Sequence, residues 1–143
     1  MFTALHSNQL SNYNNQPLSV LIVDDSRLSQ AVLARHLQRH HVTVEKANSG
    51  TEALSHLMQK SYDLIFLDLH MPNINGFQLL QCLADNPQWI HIPIIIISSL
   101  SELTHHFSPS ANKQNVWLLP KPFNAEKIDK YIQQIKSNKK NCS

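Results

Sequence analysis

Short runs of apolar residues alternate along this chain with segments in which apolar residues recur roughly every three or four positions. A short apolar run fits a strand covered on both faces, whereas the longer spacing fits an amphipathic helix. The predicted strands cover residues 18–25, 41–47, 64–68, 91–99 and 116–119. Strands that alternate with helices predict an α/β fold, here a doubly wound, five-stranded parallel sheet with helices on both faces.

The helical spacing and one capping residue predict four regular helices. Ser26 is a good N-cap residue and marks the start of the first helix. The helices are predicted to begin near Ser26, Gly50, Asn75 and residue 124, and the last to end at residue 136. Within residues 100–115, Pro109 and a polar run favour a loop with at most a short or irregular fourth helix before the last one.

The two ends of the chain differ in composition from its middle. Residues 1–17 are rich in Asn, Gln and Ser and show no periodicity, which predicts a flexible polar leader. Residues 18–136 form the single predicted domain. Residues 137–143 form a basic tail that we expect to be frayed.

Composition and charge argue against several classes of protein. A formal net charge of +2 gives little attraction for nucleic acid or an anionic membrane. No apolar run reaches the roughly 18 residues of a membrane span. The chain has two glycines, too few for a glycine-rich phosphate loop or a dinucleotide fingerprint. Two distant cysteines fit reduced thiols, so we expect a cytoplasmic protein.

Polar side chains stand at or just past the ends of four predicted strands. They are Asp24, Asp25, Asp68, Ser98 and Lys121. Because the carboxyl ends of parallel strands share one edge of the sheet, we expect these residues to converge. Three crowded carboxylates repel one another and need a cation, and hard oxygen ligands favour Mg²⁺ or Mn²⁺ over Zn²⁺.

This set of groups is suited to holding a phosphoryl group. The metal and the Lys121 ammonium would offset charge on the phosphoryl oxygens, and Ser98 would donate a hydrogen bond. A carboxylate such as Asp68 can itself be the nucleophile and form an aspartyl-phosphate. Two pairs of histidines, His36 with His40 and His105 with His106, lack the cysteine or carboxylate neighbours of a structured zinc site, so a transition-metal site is not expected.

Four motifs make the chain similar to a known family. They are LIVDDSR, LIFLDLHMPNINGF, IPIIIISS and KPF, with 43 residues from Asp25 to Asp68, 30 from Asp68 to Ser98 and 23 from Ser98 to Lys121. In this order and at these separations the chain resembles the receiver domain of two-component response regulators. That family has the CheY-like variant of the flavodoxin-like fold, and the resemblance covers about residues 18–136.

The resemblance implies a role for each site residue. Asp68 would be the phosphoacceptor and a metal ligand. Asp25 would bind Mg²⁺ directly, Asp24 largely through water, and His70 through its backbone carbonyl.

Two further roles follow from the same resemblance. Ser98 would be the hydroxyl that moves toward the phosphoryl group, and Lys121 would contact the phosphoryl oxygens. The bond from Lys121 to Pro122 would be cis. The family usually has Tyr or Phe three residues before the lysine, but Leu118 stands there and Trp117 precedes it.

The function implied is a stand-alone receiver that takes a phosphoryl group from a histidine kinase or a phosphotransfer protein. It would signal to a downstream protein target, and would not be an enzyme that acts on an outside substrate. One alternative is a phosphorylation-independent adaptor of receiver fold. A phosphohydrolase of the haloacid-dehalogenase kind would need a second Asp two residues after Asp68, where this chain has His70.

Overall fold

A computed structural model describes residues 16–71, 76–98 and 116–141. The strands are β1 (Leu18–Val23), β2 (Val42–Ala47), β3 (Leu64–Asp68), β4 (Ile94–Ser98) and β5 (Val116–Pro120). The helices are α1 (Arg27–Leu37), α2 (Gly50–Gln59), α3 (Gly76–Asp85) and α4 (Ala125–Asn141). Residues 1–15, 72–75, 99–115 and 142–143 lie outside this description, and with them most of the predicted leader (residues 1–17) and the predicted irregular helix.

The five strands form one parallel sheet in the order β2-β1-β3-β4-β5. This arrangement confirms the predicted doubly wound architecture. Strands β3 and β4 are buried at every position, because helices cover both of their faces. Strands β2 and β5 are the edges, and most of their residues are only partly buried or exposed.

Alternate side chains of each strand point to opposite faces, so the sheet carries two separate apolar layers. One layer packs β-strand residues such as Ile65 and Ile96 against Ala53 and Leu57 of α2 and against Leu79 of α3. The second layer packs the opposite face against α1 and α4, through Leu33, Leu37, Ile128, Ile132 and Ile135. The helices therefore bury most of their apolar residues against the sheet, although Leu28 of α1 and Met58 of α2 are exposed.

Several boundaries differ from those predicted. β4 begins at Ile94 and not at residue 91, because the residues before it form a turn in which Ile92 N–H bonds the carbonyl of Trp89. The predicted end of the last helix at residue 136 is wrong, since α4 continues to Asn141. Lys139 lies on this extension, and its Nζ is 3.1 Å from Asp63 Oδ1, which ties the end of the helix to the domain.

The helices of the described residues include none that is long and apolar enough to cross a membrane. The predicted cap of α1 is confirmed. Ser26 Oγ accepts a hydrogen bond of 3.2 Å from Ser29 N–H, which starts the helix directly after the Asp24–Asp25 pair.

Candidate phosphoryl and metal site

The ends of β1, β3, β4 and β5 bring the predicted polar residues to one edge of the sheet. Asp24 and Asp25 follow β1, Asp68 ends β3 and Lys121 follows β5. The three aspartates each offer a carboxylate oxygen, and these oxygens lie within 4.8 Å of one another. Lys121 Nζ lies 3.5 Å from Asp68 Oδ2 and 4.0 Å from Asp24 Oδ2. The sheet topology thus assembles an acidic cluster with one ammonium beside it.

Asp24 is the most deeply buried member of the cluster, with 1% of its surface exposed. Its Oδ1 accepts a hydrogen bond of 2.9 Å from Ser26 N–H. No donor among the described residues reaches its buried Oδ2 within hydrogen-bond distance. Burial, with a further contribution from the negative charge of Asp68, raises the pKa of Asp24 to about 6, against the opposing effects of Ser26 N–H and Lys121.

Asp68 is also buried, with 4% of its surface exposed. Its two oxygens face different partners. Oδ1 accepts a hydrogen bond of 3.0 Å from the backbone N–H of His70, which is an exposed residue. Oδ2 faces Lys121. The carboxylate is therefore held in one orientation, with its ammonium partner on one side.

Ser98 and Lys121 are joined through the backbone. Ser98 is buried at the end of β4, and its carbonyl accepts a hydrogen bond of 3.1 Å from Lys121 N–H. This bond continues the β4–β5 pairing, in which Ser98 stands opposite Pro120. The Lys121–Pro122 peptide is cis, as the resemblance implies.

Gly76 sits against the strand end that carries Asp68. Its N–H bonds the carbonyl of Leu69 at 3.2 Å. A Cβ atom added to Gly76 would lie 2.5 Å from the backbone oxygen of Asp68 and would also overlap the Cα atom of Leu69. The start of α3 can approach the site this closely only because residue 76 has no side chain.

Gln30 belongs to the site's surroundings, although the sequence reasoning did not single it out. Its side-chain amide donates toward the backbone carbonyl of Asp24 at 2.6 Å. Gln30 is buried on α1 among Leu33 and Leu37, so the signal that could have revealed it is a polar residue on an apolar helical stripe.

Trp117 and Leu118 lie on opposite faces of β5. Trp117 packs in the α1–α4 layer and stacks on Tyr131, with 5.6 Å between ring centroids. Leu118 packs in the α2–α3 layer, and its carbonyl accepts a hydrogen bond of 2.7 Å from the Tyr131 hydroxyl. Because neighbouring residues of a strand alternate in direction, Trp117 does not supply the aromatic ring that position 118 lacks.

The donor set fits a hard divalent cation. All the side-chain atoms that could bind a metal here are carboxylate oxygens, which Mg²⁺ and Mn²⁺ prefer as ligands. The buried Asp24 Oδ2 has no hydrogen-bond donor within the described residues, so a cation or its bound water would satisfy it. Among the described residues, this acidic trio is the only group of three or more potential ligands found close enough together to hold a metal. His36 of α1 and His40, which follows that helix, have other partners, since His40 contacts Asp129 at 2.7 Å and His36 packs edge-on against Phe123.

Comparison with known proteins agrees with this fold. The sequence model of the response regulator receiver domain matches residues 20–133. The 3',5'-cyclic-nucleotide phosphodiesterase regA of Dictyostelium discoideum is 30% identical over 134 residues, which cover 90% of this chain and 17% of that protein. Protein PilH of Pseudomonas aeruginosa is 33% identical over 85 residues, 59% of this chain and 70% of PilH.

Solved structures give the same result. The chemotaxis response regulator CheY4 of Vibrio cholerae superposes with a TM-score of 0.73 at 29% identity, covering 83% of this chain and 98% of that one. The chain spans only 11–19% of the length of three larger curated relatives.

Proposed function

Because the chain belongs to the response regulator receiver domain family, we propose that it accepts a phosphoryl group on Asp68 in a Mg²⁺-dependent reaction. The observation that carries the proposal is the convergence of Asp24, Asp25 and Asp68 with Lys121 at one edge of the sheet. Two buried carboxylates, Asp24 and Asp68, with the exposed Asp25 beside them are costly to maintain in a protein that has no use for them, because like charges repel at short range.

Asp24, Asp25 and Asp68 are the side chains that would hold Mg²⁺, together with the backbone carbonyl of His70. An ion held by these groups would offset the carboxylate charge and would supply positive charge to the transferred phosphoryl group. Asp24 Oδ2 supports this assignment, since it is a buried carboxylate oxygen without a hydrogen-bond donor in the described region.

The protein's own groups then have the following roles in the transfer. A carboxylate oxygen of Asp68 attacks phosphorus as the bond from phosphorus to the donor's imidazole nitrogen breaks. The donor ring, protonated on its other nitrogen, keeps the electron pair of that bond and leaves as neutral imidazole, and Asp68 becomes an acyl phosphate. Lys121 pairs with the phosphoryl oxygens, and the Ser98 hydroxyl donates a hydrogen bond to one of them. The His70 N–H, which bonds Asp68 Oδ1, keeps the carboxylate oriented for attack.

The donor in this proposal is a histidine kinase or a phosphotransfer protein, and the output is contact with another protein. A net charge of +2 gives no electrostatic reason to choose nucleic acid as the target. The chain covers 70% of PilH, which supports a receiver that works without an attached catalytic domain.

The test uses beryllofluoride as a mimic of the phosphoryl group, with Mg²⁺, observed by ¹⁵N NMR. We expect saturable shifts at Asp24, Asp68 and Lys121, and none in the Asp68→Asn variant. Incubation with acetyl phosphate should add one phosphoryl group to the wild-type chain, as measured by mass spectrometry. If the folded wild-type protein takes up neither the mimic nor a phosphoryl group, the proposal is wrong.

One observation favours a second candidate, an adaptor whose contacts do not depend on phosphorylation. Leu118 stands at the position of the family's usual aromatic residue, and Trp117 faces the other layer of the core. The same NMR experiment separates the two functions. Shifts that spread from Asp68 to β5 and α4 support a phosphorylation-dependent output, whereas shifts confined to the site support the adaptor.

A further inference from the structure

Gln30 is a buried polar side chain that lies next to the acidic site. It occupies the apolar face of α1 with Leu33 and Leu37, and only 4% of its surface is exposed. Burying an amide group is unfavourable unless it is hydrogen-bonded. A glutamine at this position therefore needs hydrogen-bond partners for its side-chain amide.

Those partners lie at the ends of two strands and in the turn that follows the second. Gln30 Nε2 is 2.6 Å from the carbonyl oxygen of Asp24 and 3.2 Å from that of Ala47. It is also 2.8 Å from Oδ1 of Asn48. A primary amide has two N–H donors, so these three acceptors share them. The side chain joins β1 to the β2–α2 turn at a single point.

The hydrogen bond from Gln30 to the Asp24 carbonyl constrains the backbone of more than one residue. The Asp24 carbonyl belongs to the same planar peptide unit as the N–H of Asp25. On its other side, Asp24 N–H donates to Ala47 O at 3.0 Å. Gln30 and Ala47 therefore fix the backbone on both sides of the Asp24 Cα atom, and this backbone determines the direction in which both carboxylates leave the chain.

We propose that Gln30 is a positioning residue that orients the Asp24–Asp25 peptide and thereby sets the affinity of the site for Mg²⁺. It touches neither the metal nor the phosphoryl group, and acts through the backbone that carries two of the ligands. This inference rests on the proposed Mg²⁺-dependent function of the site.

The test replaces Gln30 with methionine, which keeps the length and burial of the side chain but removes both N–H donors. Mg²⁺ binding to the full chain is measured by isothermal titration calorimetry. We expect the Gln30→Met variant to bind Mg²⁺ about 10-fold more weakly, the lower end of the loss typical when a supporting hydrogen bond of a metal site is removed. Beryllofluoride uptake should return to the wild-type extent when Mg²⁺ is raised to saturation.

The matched control is Gln38→Met. Gln38 follows α1 and is exposed, so this control changes the same residue type without touching the site. It should bind Mg²⁺ as the wild type does. A Gln30→Met protein that is less stable but binds Mg²⁺ with unchanged affinity would show a purely structural role and overturn the proposal.

A second measurement on the wild-type protein does not depend on whether the variant folds. Mg²⁺ titration should shift the side-chain ¹⁵NH₂ resonances of Gln30 and leave those of Gln38 unchanged. If Mg²⁺ binds and the Gln30 resonances do not move, Gln30 is not coupled to the site and the inference fails. If the wild-type protein binds no Mg²⁺ at all, it is the proposed function that fails.

Discussion

Asp24 and Glu45 are carboxylates at neighbouring strands, and their surroundings shift their pKa values in opposite directions. Glu45, on the edge strand β2, has Lys60 Nζ 2.8 Å from its Oε1, and its Oε2 accepts a hydrogen bond from the Tyr62 hydroxyl. His56 Nδ1 adds a contact of 3.3 Å. The hydrogen bonds from Lys60 and Tyr62 lower the pKa of Glu45. Burial instead raises the pKa of Asp24, whose Oδ2 has no donor among the described residues.

The difference shows which of the two carboxylates has its charge compensated by neighbouring side chains among the described residues. Glu45 finds its cation and its hydroxyl donor within α2, β2 and the segment between α2 and β3, so its charge stabilises the fold. Asp24 is buried beside another carboxylate, and Lys121 stays 4.0 Å from its second oxygen. Among the described residues, Lys121 alone brings positive charge near this oxygen, which is expected of a site that binds a cation.

The largest expected effect is a fall in the stability of the metal-free protein as pH rises from about 4 to about 6. In this window native Asp24 keeps its proton after the unfolded chain has lost it, so the native state binds more protons and its stability declines with pH. A pKa raised from 3.8 to about 6 corresponds to on the order of 3 kcal/mol. Urea unfolding with a chelator present measures this decline.

Two variants locate the source of that decline. Asp24→Asn should flatten it, since the asparagine carries no titrating charge. Glu45→Gln should leave it in place, because the pKa of Glu45 is lowered and its contribution is instead lost as the pH falls below the usual range of a glutamate. Equal pH profiles for the wild type and Asp24→Asn would contradict the contrast between the two carboxylates.

Mg²⁺ should have the next largest effect. At about 100 times its dissociation constant, an ion that binds only the native state stabilises it by about 2.7 kcal/mol. Asp24→Asn should lose most of this gain, whereas Glu45→Gln should keep it. Thermal unfolding at pH 7 with and without Mg²⁺ tests both. A Glu45→Gln protein that no longer responds to Mg²⁺ would show that the two regions are not independent.

Gly76→Ala should destabilise the protein by about 1–3 kcal/mol, the usual cost of forcing extra atoms into a packed region. The new Cβ would meet the Asp68 backbone oxygen at 2.5 Å, so the end of β3 or the start of α3 must shift. Mg²⁺ affinity should fall together with stability, because the shifted strand end carries Asp68. Unchanged affinity in a destabilised variant would show that the shift is taken up by α3 alone.

The smallest expected effect concerns Glu45, the carboxylate that is paired with Lys60 and Tyr62. Tyr62→Phe removes the hydroxyl that bonds Glu45, at a cost of about 1 kcal/mol. Because that hydrogen bond lowers the pKa of Glu45, its loss should raise this pKa, as measured by NMR titration. Mg²⁺ binding should not change. A loss of Mg²⁺ affinity in this variant would argue against the separation of the two regions.

The local pattern of the sequence was sufficient to predict the order of strands and helices and the edge where Asp24, Asp25, Asp68 and Lys121 meet. Apolar runs and helical spacing are properties of neighbouring residues, and parallel strands place their carboxyl ends together whatever the details of packing. The cap at Ser26 follows from the same local chemistry. The end of α4 was missed, since Lys139 is anchored by Asp63, which is distant in sequence.

Only the tertiary structure decided which contacts position the residues at that edge. The bonds of Gln30 to Asp24 and Asn48 and the approach of Gly76 to Asp68 all join separate elements, and no short stretch of sequence encodes them. The same holds for Asp24 Oδ2, which has no hydrogen-bond donor among the described residues, since a carboxylate's burial and hydrogen bonding depend on every element packed around it. The sequence therefore identified the charged groups, and the packing of α1 and α3 against the strand ends determined how they are held.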